Sequence, residues 1–96
     1  MVWIWTWTGR CFGLREGDNL YTHDGRHVGH FRGNEVYAAN GQYLGEWARD
    51  RLVAMTSKKK LQKFGFAPTP KRNPGPKPAD CPGLPIPAGY EDFPRF

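Results

Sequence analysis

The sequence has few cysteines, no proline before Pro68 and no long hydrophobic run. Cys11 and Cys81 are the only two cysteines among 96 residues. They are too few for a disulfide framework and do not have the spacing of a zinc site. We therefore expect reduced thiols and a cytoplasmic protein. The first residues contain no basic leader, and their apolar run is too short for a signal peptide or a membrane span, so we expect no association with a membrane.

Motifs for catalysis and cofactor binding are also missing. The glycines recur, but they do not form a P-loop or a dinucleotide-binding pattern. His23, His27 and His30 lie close together in the sequence, yet no carboxylate or cysteine completes a four-ligand metal set with a familiar spacing. We therefore predict a protein that is not an enzyme, with no catalytic residues, no metal and no cofactor.

The sequence does contain an internal repeat with a period of sixteen residues. Three units and the start of a fourth fit between residues 2 and 54. Units of this size cannot bury an apolar face alone, so we expect them to stack or to close into a ring. The clearest columns of the repeat are aromatic (Trp5, Tyr21, Tyr37), aliphatic (Ile4, Leu20, Val36, Leu52) and glycine (Gly9, Gly25, Gly41; Gly13, Gly29, Gly45).

Each unit is predicted to form one β-hairpin. Asp24-Gly25 and Asn40-Gly41 are residue pairs that favour a two-residue type I′ turn, and Thr8-Gly9 is a weaker version of the same signal. Such turns fix which residues of the two strands lie opposite each other. The expected cross-strand pairs are Trp5 with Phe12, Tyr21 with Val28, and Tyr37 with Leu44.

The aliphatic column predicts which face of the sheet forms the core. The recurring glycines, the first of them Gly13, would lie opposite this column and leave room for its side chains. This face also carries fewer charges than the aromatic one. The strand that starts at Leu52 has no turn glycine after it, and in a closed ring it could pair with the first strand. We predict an all-β fold of three to four sixteen-residue hairpin repeats that close into a small flower-like or barrel-like sheet.

The composition changes along the chain. Residues 1–56 contain six basic and six acidic side chains, whereas residues 57–96 contain eight basic and three acidic ones and all nine prolines. We predict a β-hairpin repeat domain over residues 1–56, a basic connecting segment over 57–66, and a Pro-rich extended tail over 67–96. Five apolar residues of the tail indicate that part of it docks on the domain: Leu84, Ile86, Tyr90, Phe93 and Phe96.

The stretch GDNLYTHDGRHVGHFRGNEVYAANGQYLGEWARDRL at positions 17–52, with the Pro-rich tail that contains PAGYEDF, resembles the 4-fold beta flower proteins, a small bacterial family. The resemblance covers most of the hairpin region and extends loosely to the tail. Turn and strand patterns carry it, so it implies a fold and no activity. Two other folds remain open, an open hairpin-repeat sheet of the MORN type and a small PRC-like barrel.

The first functional hypothesis is a protein-interaction or self-assembly module. Trp3 and Trp7 have no aromatic counterparts in the other units. Their large and rigid side chains are therefore candidates for binding a partner, and we expect self-association. The Pro-rich tail could in addition bind an aromatic-lined groove of an unidentified protein.

Two alternatives belong to other functional classes. Nucleic acid could bind the excess positive charge of the second part of the chain, although the neutral repeat domain argues against it. A small-ligand or enzymatic site could lie in a central channel lined by His27 and Tyr43. The cations of the nucleic-acid hypothesis are Lys58, Lys59, Lys60, Lys63, Lys71 and Arg72.

Overall fold

The computed structural model describes residues 2–96 and shows one sheet of eight β-strands in chain order. Each strand is antiparallel to the one before it. A parallel pairing between the first and the seventh strand closes a seven-stranded barrel, and the eighth strand extends the sheet beyond the seventh. The strands are β1 (Val2–Thr6), β2 (Cys11–Glu16), β3 (Asn19–Thr22), β4 (His27–Arg32), β5 (Glu35–Tyr37), β6 (Tyr43–Ala48), β7 (Arg51–Met55) and β8 (Tyr90–Asp92).

The all-β prediction and the closed, barrel-like sheet are confirmed. The strand from Leu52 does pair with the first strand, since Thr6 of β1 lies beside Leu52 of β7. Closure through these residues shortens the exposed edges that an open sheet of these strands would present. A single 3-10 turn, Thr56–Lys58, follows β7.

The turns inside the three hairpins differ from the prediction. In the first, the Thr6 N–H donates to the Arg10 carbonyl (2.8 Å) and the Gly9 N–H to the Thr6 carbonyl (3.0 Å), and equivalent loops begin at Thr22 and Ala38. Only the last of the three loop residues, a glycine, has a positive φ. This is a type I turn followed by a left-handed glycine. The predicted type I′ turns are therefore wrong. Glycine at the last loop position suits both turn types, so the sequence signal does not distinguish them.

The third loop residue changes the pairing beside each turn. A β-bulge follows Ile4, Leu20 and Val36, so the aromatic residue after it pairs one position earlier than predicted. The predicted partners Phe12, Val28 and Leu44 are wrong; the observed pairs are Trp5–Cys11, Tyr21–His27 and Tyr37–Tyr43. The pairs expected before the bulge are present: Ile4–Gly13, Leu20–Gly29 and Val36–Gly45.

The turns between hairpins have two residues. Gly17 (φ +59°) and Gly33 (φ +62°) occupy the first loop position, as in a type II′ turn. At the third of these turns no glycine is present, and Arg49 (φ +51°) and Asp50 (φ +60°) both adopt the left-handed conformation of a type I′ turn. The type I′ geometry therefore occurs where the sequence signal for it is weakest.

The aliphatic column forms the core, as predicted. Leu20, Val36 and Leu52 are fully buried. Burying an aliphatic or aromatic side chain of this size contributes about 1.5–3 kcal/mol. Phe93, which directly follows β8, packs into the same cluster, so the C-terminal part of the chain supplies a core residue. The buried cluster consists of Ile4, Phe12, Leu20, Phe31, Val36, Leu52 and Phe93.

Residues 61–85, which we call the belt, run back past the three hairpin turns in reverse order. The belt has almost no regular secondary structure, and backbone hydrogen bonds to the turn glycines mark its path. The three donors of these bonds lie nine residues apart in the sequence. The bonds join Lys63 N–H to Gly41 O (2.8 Å), Arg72 N–H to Gly25 O (2.9 Å) and Cys81 N–H to Gly9 O (2.8 Å).

Candidate functional site

His27, a predicted channel residue, lies under the belt. Its ring stacks on Phe66 with centroids 4.6 Å apart. The Thr69 N–H donates to His27 Nδ1 (2.9 Å), and Nε2 lies 3.0 Å from the Gly29 carbonyl. An acceptor role for Nδ1 leaves the proton on Nε2, which donates to Gly29. Burial lowers the pKa of His27, so the neutral ring fits this environment. The ring holds the belt against β4.

Tyr43, the other predicted channel residue, belongs to a partly buried polar cluster. Its hydroxyl donates to Glu46 (2.8 Å), and that of Tyr37 donates to Glu35 (2.7 Å). Lys58 joins the two carboxylates at 2.9 Å and 3.1 Å. This cluster ties the 3-10 turn to β5 and β6.

The pKa values of Tyr37, Tyr43 and Glu35 are shifted by their surroundings in this cluster. Burial and the Glu35 carboxylate raise the pKa of Tyr37 to about 12. Burial is also the main reason that the pKa of Tyr43 is raised. The hydrogen bond from Lys58, and then that from Tyr37, lower the pKa of Glu35. These shifts favour phenols that donate and a Glu35 carboxylate that accepts, which is the behaviour of a structural network.

Half of the six cations of the nucleic-acid hypothesis are paired. Besides Lys58, Lys59 lies 2.6 Å from Glu91, and Arg72 pairs with Glu16. A paired cation has less to gain from a phosphate, because its carboxylate partner competes for it. Nucleic-acid binding stays a prediction, and its cations without an ion pair among residues 2–96 are Lys60, Lys63 and Lys71.

The two tryptophans predicted to bind a partner lie in different environments. Trp7 is 8% exposed, and its indole N–H donates to the Pro85 carbonyl (2.8 Å) at the end of the belt. Trp3 is half-buried on β1, opposite Leu14 of β2. The belt therefore covers Trp7, whereas part of Trp3 is accessible to solvent. Their role in binding a partner stays a prediction.

Phe64 is the feature that the sequence did not indicate. This residue is 89% exposed, more than the other exposed large apolar residues, which are Val2, Leu61, Ile86 and Phe96. Its backbone is nevertheless fixed, because the N–H groups of Lys63 and Phe66 on either side bind the hairpin turn at residues 39–41. Arg32 donates to the Phe64 carbonyl (3.1 Å). In the sequence, Phe64 is one aromatic residue in a basic segment, and no periodicity distinguishes it from the buried ones.

No helix within residues 2–96 is long and apolar enough to cross a membrane. Within the same range, no three histidine, cysteine or acidic side chains are grouped as a metal would require. Comparisons with models of protein families, with curated proteins and with solved structures gave no significant match. The resemblance to the beta flower proteins therefore stays a prediction.

Proposed function

We propose that this protein is a non-enzymatic interaction module that self-associates, with the barrel as its scaffold and Phe64 as its main anchor. The observation that carries the proposal is the combination of an exposed ring with a fixed backbone. Anchor residues in protein interfaces are large side chains, often aromatic, that enter a pocket of the partner. A fixed backbone lowers the conformational entropy that is lost on binding.

We also propose that the fold consists of three to four sixteen-residue hairpin units with a Pro-rich extended tail, as in the beta flower proteins. The recurring loops at Thr6, Thr22 and Ala38 support this. So do the three belt contacts, each of which involves the turn glycine of one hairpin. For the location we propose the cytoplasm, since a pair of cysteines without a disulfide suits a reducing compartment.

The proposal is tested by measuring the oligomeric state from low to high micromolar concentration by sedimentation equilibrium. We expect the wild-type protein to self-associate. Phe64→Ser removes the anchor and should weaken association about thirty-fold, the effect of losing one strong interface residue. Trp3→Ser tests the predicted contribution of the half-buried tryptophan in the same assay.

Ile86→Ser is the matched control. Ile86 is also an exposed apolar residue of the C-terminal part of the chain, with 43% of its surface accessible. Its replacement should leave the dissociation constant unchanged. A wild-type protein that remains a monomer at the highest concentration would contradict self-association, and equal effects of the Phe64 and Ile86 variants would contradict the role of Phe64.

A further inference from the structure

A cavity of about 320 Å³ lies between the barrel and the C-terminal part of the chain. Its walls come from the start of β2, the end of β3, the belt and the last two residues. Phe64 is not among the residues that line it, so binding in this cavity is independent of the proposed role of that side chain.

The charged groups around the cavity are mostly positive. Arg10, Lys77 and Arg95 line it, and His23 adds a ring that can donate a hydrogen bond. Asp80 is the only carboxylate side chain among the lining residues, and its Oδ1 already accepts the backbone N–H of Cys11 (2.8 Å). Several cations around one concave space raise the local potential and favour an anion there.

The guanidinium of Arg10 is held in place at one side of the cavity. Its Nη2 donates to the Phe93 carbonyl (3.0 Å) and lies 3.6 Å from an oxygen of Asp92. Its Nε is buried and has no hydrogen-bond partner within residues 2–96. Since this Nε has no accessible surface, it is not itself a contact for a group in the cavity, and Arg10 can meet such a group only through the rest of its side chain.

The cavity also has an aromatic side. The rings of Phe12 and Phe96 meet edge to face, with centroids 5.8 Å apart and planes at 83°. Phe12 is almost fully buried in the core, whereas Phe96 is half exposed. Apolar side chains together with a few polar donors are the usual lining of a small-molecule site.

We propose that this cavity binds a small organic anion, in which a phosphate or carboxylate adjoins a flat apolar group. The anionic group would contact Lys77 and Arg95, which have no ion pair among residues 2–96, and the apolar group would pack on the two phenylalanines. Arg10, which Asp92 already pairs, would add to the positive potential beside them. Cys11 also lines the cavity, but burial raises the pKa of its thiol and so disfavours the nucleophilic thiolate. The site is thus one for binding and not for covalent chemistry.

The proposal is tested by calorimetric titration of the full chain, in a buffer without phosphate, with three probes of similar size. The probes are phenyl phosphate, benzoate and the neutral phenol. We expect at least one of the two anions to bind with a saturable heat and phenol to bind much more weakly. Binding of phenyl phosphate alone would assign a phosphate group to the ligand, and binding of benzoate alone would assign a carboxylate.

Lys77→Ala and Arg95→Ala are the informative variants, because both residues are exposed and neither forms an ion pair among residues 2–96. Each should weaken binding of the anion about ten-fold or more, the effect of losing a charge-assisted hydrogen bond. Lys60→Ala removes an exposed cation that does not line the cavity and should leave binding unchanged.

Three results would overturn the proposal. One is the absence of saturable binding of either anion at millimolar concentration. Another is an equal affinity for phenol, which would show that charge plays no part. The third is an equal loss of affinity for the anion in the Lys60 variant and in the Lys77 and Arg95 variants. That result would show that the anion responds only to the general positive charge of the chain.

Discussion

His27 shows how one side chain can join two parts of the chain. Its Nδ1 accepts a hydrogen bond from the Thr69 N–H of the belt, and its ring lies against Phe66. A proton on Nδ1 would turn this acceptor into a donor that faces another donor. Contact between the belt and β4 therefore depends on a neutral ring.

We expect the stability of the protein to fall at acidic pH through His27. Burial is the main cause that lowers the pKa of its folded form; the nearby His30 acts in the same direction and the bond to Gly29 opposes it. Between the ordinary pKa of about 6.5 and the lower folded pKa, the unfolded chain binds more protons. The contribution of the neutral ring is thus complete above about pH 6.5 and is lost as the pH falls towards the folded pKa.

The measurement is the free energy of unfolding in urea from pH 7.5 downwards. In His27→Asn the side-chain carbonyl can still accept from Thr69 but does not titrate, so the advantage of the wild type over this variant should shrink as the pH falls. His23→Asn alters an exposed histidine and should follow the wild-type curve. Parallel curves for the wild type and the His27 variant would exclude His27 as the source.

At the scale of the elements, the glycines at the ends of the hairpin loops have two functions. They provide the positive φ that the loop requires, +92° in the case of Gly25. They also lack a β-carbon at the place where the belt backbone passes. A β-carbon on Gly25 would overlap the carbonyl oxygen of Arg72, and the same relation holds for Gly9 with Cys81. The turn and the docking of the belt therefore depend on one residue type.

Gly25→Ala and Gly17→Ala separate these two functions. Gly17 also has a positive φ, +59°, but no atom lies within 4 Å of the position its β-carbon would take. Gly17→Ala should cost only the strain of an alanine with a positive φ, about 1–3 kcal/mol. Gly25→Ala should cost about 1–2 kcal/mol more, because the bond from Arg72 is lost as well.

Trypsin cleavage provides the second readout of this comparison. In the Gly25 variant the belt should be cut faster after Lys71 and Arg72, whereas in the Gly17 variant the rate at these sites should match the wild type. Equal cleavage and equal stability of the two variants would mean that the belt does not depend on a bare glycine at the turn.

At the scale of the whole molecule, the barrel is completed by the far end of the chain. β8 pairs with β7, and Phe93 is 2% exposed within the core that Ile4, Leu20 and Phe12 form. Its ring contacts that of Phe12 edge to face at 5.0 Å. The C-terminal strand and the barrel are thus expected to unfold together.

Phe93→Ala should destabilise the protein by about 3–5 kcal/mol, the usual cost of removing a buried aromatic ring from a core. Phe64→Ala deletes the same group from an exposed position and should change the stability of the monomer by less than about 0.5 kcal/mol. The check is a pair of urea unfolding curves, each followed by tryptophan fluorescence and by circular dichroism. A small effect of the Phe93 variant, or separate transitions for the two signals, would show that the barrel is stable without the C-terminal strand.

The sequence by itself determined the β-class, the hairpins and the inner face of the sheet. These are local properties, because side chains alternate between the two faces of a strand and the sixteen-residue period repeats that alternation. Ile4, Leu20 and Val36 therefore lie opposite glycines, as the sequence pattern predicts.

The tertiary structure decided the turn type, the path of the belt and the exposure of Phe64. Each belt contact joins the backbone of the belt to a turn glycine. The turn alone already accounts for that glycine, so its recurrence in the sequence does not reveal the belt. Pro-x-Pro begins at residues 68, 74, 76 and 85, which does not reproduce the nine-residue spacing of the belt contacts. The cavity beside Arg10 exists only because the belt and the C-terminal residues come back to the first hairpin. Contacts between positions so far apart in the chain follow from how the whole molecule packs.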